Sequence, residues 1–373
     1  MRRILIAPDS FKGSLTAVEF CRIGAQVIKH HWPDIEVIER PLSDGGEGFV
    51  AAITESGQAE RRVVDSLDPL ARPIQATFGW QADRQTAMIE MAQASGLPLI
   101  SKQERDPMQA STYGTGLVIK AALELGARTI ILGLGGSATN DGGAGALQAL
   151  GIELSDDKDQ PIKPGVQGLL KLDKIGHIPA HLSNIKWHLA CDVTNPLLGE
   201  QGATTVYGPQ KGVTPQTHAE FEQALTKFAE LIEQRTGHNI TTRPGAGAAG
   251  GMAGGFMGIL NAQTFSGFDL LAETIGLHQT FEQGVDLVIT GEGRMDAQTR
   301  HGKLPMKLAE MAQRYDVPIL GLCGQLDISA EQMPEFIALF SLIHRLTDEA
   351  DAMNHTEHWL KSTLYSALKL YLH

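Results

Sequence analysis

Apolar residues along this 373-residue chain come in short runs that end, repeatedly, in polar loops rich in glycine. Ile4-Leu-Ile-Ala7 predicts a buried strand, and Pro8-Asp-Ser-Phe-Lys-Gly-Ser14 the loop at its carboxyl end. A helix follows, because Thr16 and Glu19 have capping-box spacing and Phe20, Ile23, Val27 and Ile28 share one face. Ile35 to Arg40 predicts a second strand, running into Pro41-Leu-Ser-Asp-Gly-Gly-Glu-Gly48. A strand–helix–strand unit of this kind implies a parallel pair with a right-handed crossover. From Arg61 to Glu90 the pattern changes to short alternating segments separated by Pro69, Pro73 and Gly79. That predicts antiparallel or mixed strands and the start of a second domain.

Further on, a helix around Gly116 to Leu125 precedes a buried-type strand at Thr129 to Leu134, a loop dense in glycine, and a helix bearing Leu147 and Leu150. Ile185 to Ala190 predicts a strand that delivers Cys191-Asp-Val-Thr-Asn-Pro196 to its end. After Thr214 as cap and Pro215 in the first turn, Phe221, Ala224, Leu225, Phe228, Leu231 and Ile232 form a helical stripe. Gly245 to Gly258 carries two glycine rows at a spacing of four, open to two readings: a small-residue helix in close backbone contact, or a loop. Asp286 to Thr290 predicts a strand ending in Gly291-Glu-Gly-Arg-Met-Asp-Ala-Gln-Thr299. Val317 to Cys323 and Phe336 to Ile343 predict two more strands, with a helix from Pro305 to Tyr315 ahead of them. The last helix has Leu360, Leu364, Ala367, Leu368 and Tyr371 on one face.

These elements imply an α/β protein of two domains, which a chain this long favours. Residues 1–60 and 281–373 should form a Rossmann-like parallel α/β/α domain built from both chain ends. Residues 61–280 should form an inserted mixed-sheet α/β domain, with the active site in the cleft between the two. A net charge of −12 argues against a nucleic-acid or anionic-membrane surface. Cys21, Cys191 and Cys323 are too few and too widely spaced for a disulfide frame. Neither a leader nor a run of membrane-spanning length is legible, so the expected location is cytoplasmic. A homo-oligomer is compatible with the sequence.

The candidate chemistry lies in the loops at predicted strand ends, where α/β sheets collect ligands. In the stretch Gly135-Gly-Ser-Ala-Thr-Asn-Asp-Gly-Gly143, glycines permit close backbone approach to an anion, and the next helix points its N–H groups at whatever sits there. No Walker A pattern exists, and Ala138 stands where a dinucleotide fingerprint needs its third glycine. Asp9, Asp44, Asp141, Asp192 and Asp296 all lie in glycine-bearing loops or at predicted strand ends, and Lys12, Lys211, Arg294 and Lys303 accompany them. Carboxylates that hold Mg²⁺ or accept a hydroxyl proton, together with cations that offset phosphate charge, are what phosphoryl transfer needs. A turn or cap role is the alternative for any single aspartate. The histidines have no metal-binding spacing, and Cys191 has no nearby histidine to activate it. Two rival readings are an NAD-linked hydroxyacid dehydrogenase and a non-catalytic protein that closes on its ligand.

Seven segments, in order, resemble the bacterial glycerate kinases of the type-1 family. They are Ala7-Pro-Asp-Ser-Phe-Lys-Gly-Ser14, Asp44-Gly-Gly-Glu-Gly48, Gly135 to Gly143, Ala190-Cys-Asp-Val-Thr-Asn-Pro-Leu197, Tyr207-Gly-Pro-Gln-Lys-Gly212, Gly245-Ala-Gly-Ala-Ala-Gly-Gly251, and Gly291 to Thr299 with Gly302-Lys303. Ser43 before Asp44 and Tyr207 are small departures from the family pattern. The resemblance implies ATP-dependent phosphorylation of D-glycerate with Mg²⁺, feeding glyoxylate or sugar-diacid breakdown into glycolysis. It favours 2-phosphoglycerate over 3-phosphoglycerate as product. On this reading Ser10, Lys12 and Asp44, helped by Arg294, hold glycerate, and Lys12 also counts among the catalytic residues. The ATP phosphates lie against Gly135, Gly136, Ser137, Thr139, Asn140 and Asp141. Asp192 is the first candidate for base or Mg²⁺ ligand and Asp296 the second.

Overall fold

The strands, in chain order, are β1 Arg3–Ile6, β2 Glu36–Glu39, β3 Glu60–Leu67, β4 Pro73–Gln81, β5 Thr86–Glu90, β6 Thr129–Gly133, β7 Leu154–Ser155, β8 Lys174–Ile175, β9 Lys186–Ala190, β10 Gln263–Phe265, β11 Leu287–Met295, β12 Ile319–Leu326 and β13 Ala338–Ser341. This is a computed structural model that describes residues 2–43, 45–46, 48–300 and 302–372. The chain divides into two units: Met1–Asp44, Ala51–Gln58 and Phe268–His373 in the first, Gly45–Val50 and Ala59–Gly267 in the second.

The first unit holds a fully parallel five-stranded sheet in the order β13-β12-β11-β1-β2. Ile4 and Ile6 of β1, with Leu287 and Ile289 of β11, pack into one cluster with Phe20, Ile23 and Ile28 of the helix Ala17–His31 and with Leu360, Leu364 and Leu368 of the helix Thr356–Leu372. Each such large side chain contributes roughly 1.5–3 kcal/mol by leaving water. Side chains alternate along a strand, so Leu5 faces the other way. The opposite layer includes the helix Leu304–Arg314, which lies along β11 and β12. The capping box forms as read: Thr16 Oγ1 accepts from Glu19 N at 3.1 Å, and the Glu19 carboxylate accepts from Thr16 N at 2.9 Å. Tyr371 departs from the expected buried face and is 37% exposed.

The second unit holds a six-stranded mixed sheet in the order β10-β9-β6-β5-β4-β3. Strands β5, β6, β9 and β10 run parallel, and β4 and β3 complete an antiparallel edge. Its core joins Phe78, Ile89, Ile130 and Leu132 of the sheet to Val118 and Ile119 of the helix Tyr113–Glu124 and to Phe221, Phe228 and Ile232 of the helix His218–Thr236.

Three elements differ from the sequence reading. The long helix starts at His218, because Thr214 spends its side chain on a separate turn, accepting from Thr217 N at 3.3 Å. Strand β11 runs five residues past Thr290, so Glu292 and Arg294 belong to the sheet rather than to a loop. The Gly245 to Gly258 segment combines both readings: turns as far as Gly251, then a helix Met252–Leu260. Its glycines permit close backbone approach, since a Cβ on Gly255 would stand 2.1 Å from the carbonyl oxygen of Gly142.

Candidate active site

Two polar clusters lie at carboxyl ends of parallel strands, one in each unit. In the first unit, pairing with β11 continues past the end of β1: Ala7 N donates to Ile289 O and Asp9 N to Gly291 O, both at 2.8 Å. Phe11 is buried and stacks on Phe20 at 5.4 Å between ring centroids, which pins the loop while leaving Ser10 half-buried and Lys12 exposed. A Cβ on Gly293 would lie 3.6 Å from the Phe11 Cα and 3.8 Å from Lys12 N, so β11 passes directly beneath this loop.

Glu292, buried on β11, accepts from Thr299 Oγ1 at 2.6 Å and stands 3.7 Å from Lys303 Nζ. Burial pushes its pKa up, while the Thr299 hydroxyl, Lys303 and Lys12 act in the opposite sense. Asp296 is half-buried; its Oδ1 accepts from Gln298 N at 2.9 Å and Lys303 Nζ at 3.4 Å. Burial opposes its ionisation, but Lys303 and the N–H groups of Gln298 and Thr299 outweigh that and hold its pKa below the usual carboxylate range. Arg294 is exposed and bonds Asp327 Oδ2 at 2.6 Å, with Asp296 at 3.7 Å. The loop bearing Ser10 and Lys12 is therefore brought together with the strand and turn bearing Glu292, Arg294, Asp296 and Lys303. Asp44 and Glu47 lie outside the described residues. Glu292 is not among the residues expected from the sequence; its signal there is a lone carboxylate between two glycines at a strand end.

In the second unit three glycine-bearing segments interlock. A Cβ on Gly133 would stand 2.4 Å from Gly45 O, and one on Gly135 would stand 2.5 Å from Gly46 Cα. Gly45 itself has φ +90° and passes over Ala190. Beyond this crossing the loop turns its side chains inward. Ser137 is buried, Thr139 and Asn140 fully so. Lys211 ends the helix Ala203–Lys211 and is 2% exposed; its Nζ donates to Ser137 Oγ at 2.7 Å and to Thr139 O at 2.6 Å. Desolvation pushes its pKa down to about 7, with the charge of Asp141 acting the other way.

Asn140 Nδ2 donates to Thr204 Oγ1 at 3.0 Å, while Thr139 Oγ1 and Asn140 Oδ1 are buried without a hydrogen-bond partner among the described residues. Asp141 is fully buried and accepts from Thr112 N and Oγ1 at 2.9 Å, Gly143 N at 3.1 Å and Gly145 N at 3.2 Å. Burial raises its pKa, and these four donors work against the rise. Only Gly135, half-buried, and Gly136, exposed, keep this part of the loop at the surface.

At the end of β9, Asp192 is exposed and accepts from Gly267 N at 3.2 Å. Burial raises the pKa of Cys191, which keeps it a thiol. Tyr207 donates to Asn195 Oδ1 at 2.8 Å, tying the Lys211 helix to the loop after β9. Lys211 was noted in the sequence only as a nearby cation, and its burial inside the glycine loop is a product of folding.

Anion-friendly loops and paired charges at strand ends are compatible with a small-molecule transferase, although an α/β fold alone does not define one. The comparisons narrow this. The glycerate kinase family model matches residues 4–372. A glycerate kinase of Halalkalibacterium halodurans is 43% identical over 357 residues, covering 95% of this chain and 94% of that protein. A glycerate 2-kinase of Escherichia coli is 40% identical over 345 residues, covering 91% of this chain and 90% of that protein. A crystal structure of a Salmonella typhimurium LT2 protein matches with a TM-score of 0.86 at 39% identity, over 100% of this chain and 99% of that one. The chain belongs to the glycerate kinase family, and it is a kinase.

Proposed function

We propose that this kinase transfers the γ-phosphoryl group of ATP to the 2-hydroxyl of D-glycerate, giving 2-phosphoglycerate and ADP. Membership of the glycerate kinase family over residues 4–372 carries the reading, and the name of the Escherichia coli relative favours the 2-hydroxyl. Ser10, Lys12 and Asp44 would hold the glycerate carboxylate and hydroxyls. Arg294 would join them by exchanging Asp327 for the substrate, an exchange that its 58% exposure permits.

Backbone at Gly135 and Gly136 would meet the ATP phosphates. The inward side chains of Ser137, Thr139, Asn140 and Asp141, with Lys211 behind them, would hold that backbone in shape. Among the described residues no group of three or more His, Cys, Asp or Glu side chains is placed to hold a metal ion. Mg²⁺ takes one or two carboxylates along with nucleotide phosphates. Asp192 would either be its protein ligand or act as the base, and the ion would supply charge neutralisation on the phosphates.

A carboxylate, Asp192 or alternatively Asp296, would accept the proton as the glycerate oxygen attacks phosphorus. The bond from phosphorus to the bridging oxygen breaks, and its electron pair leaves with ADP. No helix among the described residues is long and apolar enough to cross a membrane, and a substrate and a nucleotide of this kind fit work in the cytoplasm.

Phosphorus NMR of the protein with Mg-ATP and D-glycerate tests the proposal. A 2-phosphoglycerate resonance rising with ADP is the expected result. A 3-phosphoglycerate resonance would overturn the regiochemistry, and no new phosphate ester from folded protein would overturn the substrate.

A further inference from the structure

The antiparallel edge of the second unit leaves one strand with an unmatched side. Strand β3, eight residues long, is the terminal strand of its sheet, whereas the other sheet ends among the described residues are strands of two to four residues. Among the described residues no backbone hydrogen bond reaches Glu60–Leu67 from any element but β4. On its inward face Val64 packs against the core and Ser66 Oγ donates to Gly114 O at 2.9 Å. On its outward face Arg61, Val63 and Asp65 are exposed, Val63 by 50%. A long edge with an exposed valine at its middle is a template for another strand.

We propose that β3 pairs antiparallel with β3 of a second copy of this chain about a two-fold axis through Val63. In a symmetric pairing every residue faces one partner residue on the same side of the sheet, so the register is set by which residue sits on the axis. With Val63 on the axis, Arg61 of each copy lies opposite Asp65 of the other, and the two exposed valines meet. Arg62 lies opposite Val64, over which its aliphatic stem can lie. Its guanidinium keeps Glu60 of its own strand, 2.7 Å away.

Neighbouring registers are worse. An axis through Arg61, Arg62 or Asp65 sets a residue against its own like charge, and one through Val64 brings no opposite charges together. A second copy is thus the partner that the charge pattern of the strand selects. The proposal is independent of the kinase reading.

Charge reversal on the full-length chain tests it, because Arg61 and Asp65 are exposed and their exchange leaves the core untouched. Wild type should sediment at twice its 40.2 kDa chain mass. Arg61→Asp alone and Asp65→Arg alone each set like charges opposite one another twice, and should weaken self-association by about tenfold or more. The double variant Arg61→Asp/Asp65→Arg restores opposite charges and should restore the dimer. Amide exchange at residues 60–66 should slow on dimerisation in wild type and in the double variant only. A monomeric wild type, or a dimer indifferent to both single reversals, would overturn the proposal.

Discussion

At the ends of β1 and β11 the charged groups stay near the surface and pair with one another. At the end of β6 comparable groups are drawn inside and used up by the backbone. Asp296 and Asp141 make the contrast concrete. The first is half-buried, opposite Lys303 and Arg294, and the second is fully buried with four donors on its oxygens. Lys303 and Lys211 differ in the same way: one sits between two carboxylates, the other bonds a hydroxyl and a carbonyl in the interior. On the proposed function, a mobile anionic substrate would be served by the first arrangement, where charges can exchange partners. A phosphate cradled by main chain would be served by the second, where side chains brace the loop.

The largest effect should come from the one exposed carboxylate at the β9 end. Asp192→Asn can still accept from Gly267 N, so the fold should persist while kcat falls by about 10²–10⁴. Turnover near wild type would remove Asp192 from the chemistry.

Glycine substitutions should separate the two regions next. Gly250→Ala places a Cβ 2.0 Å from Thr139 O at a φ of +65°, and should cost about 3 kcal/mol or more in thermal or denaturant unfolding. Gly302→Ala has φ +101° but nothing within 4 Å among the described residues, so only the backbone strain of about 1 kcal/mol should appear. Equal costs would dissolve the distinction between a packed and an open loop.

Asp141→Asn turns an amide toward donors it cannot satisfy and should destabilise by about 2–4 kcal/mol. Asp296→Asn retains a capping oxygen and should change stability by no more than about 0.5 kcal/mol. Reversal of that order in denaturant titrations would contradict the assigned roles.

A further effect is one of pH. Lys211 has a folded pKa near 7, below its ordinary 10.5, so between those values the unfolded chain binds a proton that the folded chain lacks. Stability from this group therefore rises as pH climbs from about 7 to 10.5. The melting temperature of wild type relative to Lys211→Met should rise across that window, and a flat difference would mean that the amine is not desolvated as described.

Local patterns carried most of the architecture. The capping box at Thr16, the apolar stripe from Phe221 to Ile232 and the alternation in β3 to β5 are short-range signals, as are the apolar runs at Ile4 to Ala7 and Asp286 to Thr290 that place two strands of the parallel sheet in the first unit. What stayed hidden was decided at long range. Glycine suggested that Gly291 to Arg294 was loop, yet eight-residue β12 extends the pairing to Met295. Pro209 and its flanking glycines masked the helix that carries Lys211. For the candidate site, the loops were legible but not the direction of their side chains. Ser137, Thr139, Asn140 and Asp141 look like ligand-facing residues in one dimension and are buried in three, because Gly250 and Lys211, distant in sequence, close over them.

Steady-state kinetics of Lys12→Ala with both substrates varied tests most directly whether the charged cluster serves glycerate and the glycine loop serves the nucleotide. The account predicts a KM for glycerate raised about tenfold or more, as for loss of a charge-assisted hydrogen bond, with the KM for ATP unchanged. An ATP KM that rises while that for glycerate stays constant would contradict it.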